Sequence, residues 1–120
     1  MGRVKNKGVK RLIAALENST DGFRFALKSE EAFRQEVLIA ILLVPVALFS
    51  GKHPLDIALL LSGLFAVLIT ELLNTAIECA INRISEDYHD LSKASKDVAS
   101  AAVLLSLCYC LIVWILIFFF

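Results

Sequence analysis

The fold is decided by VASAAVLLSLCYCLIVWILIFFF, the run from Val98 to Phe120, because none of its side chains is charged. A helix needs about 20 apolar residues, at 1.5 Å each, to cross the roughly 30 Å of hydrocarbon in a bilayer. This run is therefore long enough to span a membrane by itself. The whole chain of 120 residues is 58% hydrophobic and only 20% charged, a composition that argues against a water-soluble domain.

Two shorter uncharged runs precede it, at 37–51 and at 57–70. The first is long enough for a span if its helix begins near Phe33, with Arg34 and Glu36 in the headgroup region, where long side chains reach water. The second is long enough only if it continues past Glu71. We therefore predict an all-α membrane protein, a single domain over residues 1–120, with transmembrane helices at about 33–50, 55–82 and 96–119.

The region before these runs has the pattern of a helix that lies on the membrane surface. Apolar residues recur there with the i, i+3, i+4, i+7 spacing of one helical face: Val9, Leu12, Ile13 and Leu16. Charged residues occupy the other positions of the helical wheel. We predict this surface helix over about residues 8–28, with a break at Asp21–Gly22.

The distribution of charge indicates an orientation in the membrane. Lys and Arg number 12 and Asp and Glu number 12, so the net charge of +0 gives no reason to expect a nucleic acid partner. Eight basic residues, Arg3 and Lys5 among them, precede the first predicted span, one lies in the first connection and three lie in the second. The positive-inside rule then places the N-terminal region and the second connection in the cytoplasm, and residues 118–120 on the opposite side.

A polar stripe follows the second uncharged run, formed by Glu71, Asn74, Glu78 and Asn82. At 100° per residue these positions cover an arc of about 80° on one helical face. A carboxylate within the bilayer costs free energy unless it is paired, bound to metal or turned toward a polar cavity. The stripe therefore indicates either a polar contact inside an oligomer or a site for metal and phosphate.

More polar residues flank the spans at the same membrane face, in the segments 29–36 and 85–97. Carboxylates are suitable ligands for Mg²⁺, an ammonium group such as that of Lys96 can pair with phosphate, and a Glu can accept a proton from a hydroxyl. Phosphoryl transfer at the cytoplasmic face is therefore one chemistry that these residues fit.

Three segments carry a resemblance to a known family: EAFRQE at Glu31–Glu36, ELLNTAIE at Glu71–Glu78, and the run from Lys96-Asp97 to Ser100-Ala101-Ala102-Val103-Leu104. In order and spacing, over nearly the whole chain, they resemble the prokaryotic integral-membrane diacylglycerol kinases. The resemblance implies a homotrimer in the bacterial cytoplasmic (inner) membrane, with three transmembrane helices and a surface helix per chain. It also implies transfer of the γ-phosphate of MgATP to diacylglycerol, which gives phosphatidic acid.

The resemblance also implies roles for individual residues. The general base falls on Glu71 with Asn74 beside it, and the Mg²⁺ ligands fall on Glu30 and Glu78. The implied nucleotide contacts are Arg11, Asn18, Glu30, Glu78, Asp87, Tyr88, His89, Lys96 and Asp97. The implied lipid contacts are Arg11, Ser19, Arg24, Phe33, Arg34, Gln35, Glu71, Ser100 and Trp114.

Two positions depart from the family pattern. Asn82 stands where Asp is usual, so it keeps an oxygen acceptor but lacks a charge, and Asn18 stands where an aromatic residue is common. Other interpretations of the chain are an undecaprenol kinase of the same superfamily, a small exporter with an intramembrane Glu as proton relay, and a noncatalytic assembly subunit.

Overall fold

The computed structural model describes residues 7–120, and over that range the chain is entirely helical, without strands. The helices are α1 (Val9–Ser29), α2 (Glu31–Leu48), α3 (Pro54–Ile84) and α4 (Asp90–Phe119). The all-α class predicted from the sequence is confirmed for this part of the chain. Arg3 and Lys5, which entered the charge count, lie outside the described residues.

Helix α1 runs without interruption through Asp21–Gly22, so the predicted break is wrong. One glycine inside a helix costs only about 1 kcal/mol relative to alanine, which is too little to end a helix of 21 residues. The helix ends instead at Ser29, and the backbone of the next residue, Glu30, is extended. The Arg34 guanidinium then donates hydrogen bonds to the carbonyls of Leu27 at 2.8 Å and Lys28 at 3.1 Å, which caps the C-terminal end of α1.

Histidine side chains cap the first turns of both long helices. The Nδ1 atom of His53 accepts a hydrogen bond from the Leu55 N–H at 3.2 Å, and Pro54 occupies the first turn of α3. The Nδ1 atom of His89 accepts in the same way from the Leu91 N–H at 3.0 Å in α4. Each cap satisfies a backbone donor that has no partner within the helix, so the starts of α3 and α4 are set locally.

Helices α3 and α4 pack side by side and form the main contact of the fold. Polar side chains join the apolar parts of the two helices at three levels. The hydroxyls of Ser62 and Tyr109 share a hydrogen bond at 3.0 Å, those of Thr70 and Ser106 share one at 2.8 Å, and the Trp114 Nε1–H donates to the Leu60 carbonyl at 3.1 Å. Such hydrogen bonds between helices stabilise packing in a membrane, where apolar burial contributes little.

Substitution of Gly63 by Val is expected to destabilise the α3–α4 pair by about 1–3 kcal/mol. A Cβ atom at Gly63 would lie 3.0 Å from both Cα and Sγ of Cys110, so the larger side chain forces the two backbones apart. The matched control is Gly22→Val, because a Cβ at Gly22 meets nothing within 4 Å. Unfolding in detergent measures the effect, and equal stability of the two variants would contradict this close approach.

The chain has the surface of a membrane protein and little interior of its own. Helices α3 and α4 are long and apolar enough to cross a bilayer. In the most apolar 18-residue stretch of each helix, only 28% of α3 and 6% of α4 is buried. Helix α2 has only 18 residues, and three of them, Glu31, Arg34 and Glu36, are charged, so a third span stays a prediction. The radius of gyration is 17.6 Å, against about 14 Å for a compact chain of this length.

Candidate active site

Glu71 is a buried carboxylate on the inner face of α3, with 5% of its surface exposed. Its position in the helix explains this burial. Leu64, Val67 and Thr75 are also buried and lie seven and four residues before it and four after it, which places all four side chains on one face. Glu71 therefore occupies a position that would ordinarily hold an apolar core residue.

Further carboxylates surround Glu71, and we call Glu30, Glu36, Glu71 and Glu78 the acidic cluster. Glu30 lies at the corner between α1 and α2, Glu36 lies in α2, and Glu78 lies two turns after Glu71 in α3. Each of the three is close enough to Glu71 for their charges to interact. The structure thus brings together carboxylates from three separate parts of the sequence.

Two oxygen atoms in this region are buried and have no hydrogen-bond partner among the described residues. Asn74 donates from Nδ2 to Oε1 of Glu78 at 3.3 Å, which leaves its own Oδ1 atom without a donor. The Oε2 atom of Glu36 is likewise buried without a hydrogen-bond partner. Buried acceptors are usually paired, so these two atoms mark a place where a cation or a hydrogen-bond donor would be stabilised.

A second polar site, the connection cleft, lies between the end of α3 and the start of α4 and has a volume of about 360 Å³. Its lining residues are Ile81, Ser85, Glu86, Asp87, Tyr88, His89, Ser92, Lys93 and Lys96. Four of the predicted nucleotide contacts are thus collected in one cleft. The Tyr88 hydroxyl donates to the Asp90 carboxylate at 2.7 Å, and this hydrogen bond raises the pKa of Tyr88 above its usual value.

The two lysines of the connection cleft have different partners. Lys93 forms an ion pair with Asp97, with 2.6 Å between Nζ and Oδ2. Lys96 instead donates from Nζ to the Oδ1 atom of Asn82 at 2.7 Å, across from α4 to α3. Lys96 and Asp97 were both predicted as nucleotide contacts, and the structure places them in separate pairs.

Comparison with known proteins gives a family for this arrangement. The family model for prokaryotic diacylglycerol kinase matches residues 17–118. The chain belongs to that family. It is 40% identical to the diacylglycerol kinase of Haemophilus influenzae over 116 residues, which cover 97% of this chain and 98% of the relative. It is also 40% identical to the diacylglycerol kinase of Escherichia coli K12 over 107 residues, covering 89% and 88%, and 39% identical to that of Helicobacter pylori 26695 over 110 residues, covering 92% and 86%.

The predicted lipid contacts of this diacylglycerol kinase family member are spread over several surfaces. Ser19 lines a cavity of about 620 Å³ between α1 and α3, whose wall on the α3 side includes Leu72 and Thr75. Phe33 is fully buried, and Arg34 caps α1 as described above. The remaining positions on α1, α2 and α4 are exposed: Arg11, Arg24, Gln35 and Ser100, together with the predicted nucleotide contact Asn18.

Trp114 lies toward the opposite end of α4 from the connection cleft. It follows Lys96 by about five helical turns, or roughly 27 Å at 1.5 Å per residue. Its indole stacks on Phe118 with 5.4 Å between ring centroids, while its N–H bonds to the Leu60 carbonyl. The structure therefore does not bring Trp114 to the acidic cluster, and its predicted contact with lipid stays a prediction.

Glu36 is the member of the acidic cluster that sequence analysis left without a role. The signal for it was present in α2, where the buried residues Phe33, Ala40 and Ala47 recur every seven positions. Glu36 lies three residues after Phe33 and four before Ala40, so it shares their face. A charged residue on an otherwise buried face is a candidate for the site.

Proposed function

We propose that this chain is a diacylglycerol kinase that transfers the γ-phosphate of ATP directly to the lipid hydroxyl and so forms phosphatidic acid. The main support is the buried carboxylate of Glu71, which lies within the acidic cluster. The C-terminal end of the same helix borders the connection cleft, which is also lined by Lys96. Family membership and the names of the relatives support a kinase that acts on diacylglycerol.

Glu71 is the proposed general base. A carboxylate can accept the proton of the lipid hydroxyl when the two groups come within hydrogen-bond distance, and the hydroxyl oxygen then attacks the γ-phosphorus. Glu71 lies at the end of the apolar part of α3, where a lipid that remains in the bilayer can present its headgroup. Its burial keeps bulk water away from the reacting oxygen, which favours phosphorylation of the lipid over hydrolysis of ATP.

The acidic cluster has the chemistry of a site for a divalent cation, proposed to be Mg²⁺. It offers carboxylate oxygens, which this ion prefers, and the unpaired oxygens of Asn74 and Glu36 lie in the same region. In residues 7–120 no three His, Cys, Asp or Glu side chains form a complete metal site. Glu30 and Glu78 would therefore hold the ion jointly with ATP phosphates, and it would neutralise charge on the transferring phosphoryl group.

The connection cleft is the proposed site for the nucleotide. Lys96 would pair with the phosphates, and the turn at Asp87, Tyr88 and His89 would contact the rest of ATP. The charge distribution supports a cytoplasmic position for this connection, where ATP is available. We further propose three spans per chain in the bacterial inner membrane.

We propose the homotrimer that the family resemblance implies, and the uncovered apolar surface of one chain supports association with further copies. The molecule is a flat body of 51 × 42 × 21 Å, and many large apolar residues of α2, α3 and α4 are exposed. Lipid covers part of such a surface, and neighbouring copies would cover the rest. A neighbouring copy would also help to enclose nucleotide and lipid.

A substrate panel tests the proposed function. Purified protein in mixed micelles is incubated with MgATP and, separately, with diacylglycerol, undecaprenol or ceramide, and the phosphorylated lipid is quantified. We expect phosphatidic acid as the main product. Faster phosphorylation of undecaprenol would assign the chain to the other branch of the superfamily. If none of the three lipids supports consumption of ATP, the chain is not a lipid kinase.

A further inference from the structure

The ammonium group of Lys96 has a neutral partner in a cleft where the other lysine is already paired with a carboxylate. Lys93 lies 2.6 Å from Asp97, so much of its charge is compensated within α4. Lys96 donates at 2.7 Å to the amide oxygen of Asn82, a group that carries a dipole but no charge. Lys96 is also the less exposed of the two lysines.

We propose that Asn82 is a positioning residue that holds the Lys96 ammonium in the connection cleft without neutralising it, so that its charge remains available for the phosphates of the nucleotide. This inference rests on the proposed function for the identity of the ligand. It assigns a role to a residue that lies outside both the acidic cluster and the lining of the connection cleft.

The number of donors on a lysine makes this arrangement effective. An ammonium group has three N–H donors, and the bond to Asn82 uses one of them, which leaves two for phosphate oxygens. Lysine otherwise loses much side-chain freedom when it binds a ligand, and a bond formed beforehand reduces that loss. A carboxylate at position 82 would also hold the lysine, but it would compete with the phosphates for the same positive charge.

The position of Asn82 on α3 connects the two polar sites. Asn82 lies four residues after Glu78, which is about one turn or 6 Å along the helix. Both side chains belong to the same polar stripe, so the Lys96 ammonium is held one turn from a proposed metal ligand. A chain of phosphates that extends from the connection cleft toward Glu71 would pass both groups.

The decisive variant is Asn82→Asp. We expect the dissociation constant and the KM for ATP to rise about two- to fivefold, the effect of an exposed charge pair, with kcat, thermal stability and the KM for diacylglycerol unchanged. The increase should shrink at high salt because exposed charges are screened. Binding is measured without lipid, by displacement of a fluorescent ATP analogue from the full-length protein in micelles.

Two further variants show whether the effect passes through Lys96. Arg83→Gln makes the same change in net charge at the neighbouring exposed residue and should leave ATP binding as in the wild type. In a Lys96→Met background, Asn82→Asp should have no additional effect on ATP binding. If Asn82→Asp weakens binding equally with and without Lys96, or if it leaves binding unchanged, the inference is overturned.

A purely structural role for Asn82 gives a different result. Asn82→Ala removes the oxygen without adding charge, so we expect a smaller rise in KM for ATP and no loss of kcat. Lower thermal stability with reduced kcat and an unchanged KM for ATP would mean that the bond only joins α3 to α4, and the inference would fail. Because ATP binding is measured without turnover, a failure of diacylglycerol phosphorylation would count against the proposed function and leave this series valid.

Discussion

Glu71→Gln is expected to lower kcat by roughly 10²- to 10⁴-fold, which is the usual contribution of a general base. The substituted amide has nearly the same volume as the carboxylate, so the buried face that includes Leu64, Val67 and Thr75 should pack as before. The amide cannot accept the proton of the lipid hydroxyl. Initial rates of phosphatidic acid formation measure the loss, while size-exclusion chromatography and ATP displacement should show near wild-type assembly and nucleotide binding.

Glu31→Gln is the matched control for this experiment. The substitution at Glu31 is chemically the same and lies at the same membrane face. Glu31 is, however, exposed in the first turn of α2 and lies outside the acidic cluster. Its kcat should stay within about twofold of the wild type, as is usual for exposed substitutions. Substantial kinase activity in Glu71→Gln would remove Glu71 as the base, and an equal loss in both variants would point to a general effect of charge.

The sequence predicts the helical class and the buried carboxylate because both depend on local patterns. The uncharged run from Val98 to Phe120 implies a membrane helix whatever its neighbours are, and the spacing of Glu71, Asn74 and Glu78 places them on one face in any helix. Helix α1 shows the limit of such local signals. Gly22 is a weak helix former, but its cost is small compared with the stability of the surrounding turns.

The partners of the two lysines in the connection cleft show which contacts can be predicted from the sequence and which are known only from the structure. Adjacent residues on a helix point in different directions, so Lys96 and Asp97 could not pair, and the i, i+4 spacing already favours Lys93 with Asp97. The partner of Lys96 is 14 positions away on another helix. That contact depends on how α3 and α4 pack, and no local pattern contains this information.

Glu78→Gln is expected to raise the free Mg²⁺ concentration for half-maximal activity by about ten- to a hundredfold, by analogy with the loss of supporting residues at metal sites. A glutamine oxygen can still accept the hydrogen bond from Asn74, which is 3.3 Å long in the present structure, so the local geometry should survive. The charge that attracts the cation is lost. Excess Mg²⁺ should therefore restore much of kcat, which separates this variant from Glu71→Gln, where added metal cannot replace the base.

The distance between Glu71 and Glu78 explains why the two variants should behave differently. Glu78 and Glu71 lie seven residues apart, about 10 Å along α3, which is too far for the two to share one ion but suitable for one to hold the cation and the other to act on the hydroxyl. Initial rates are measured against free Mg²⁺ at fixed ATP for the wild type, Glu78→Gln and the exposed control Glu31→Gln. An unchanged Mg²⁺ dependence in Glu78→Gln would show that the assignment of Glu78 as a ligand is wrong, and would move the metal toward Glu30 and Glu36.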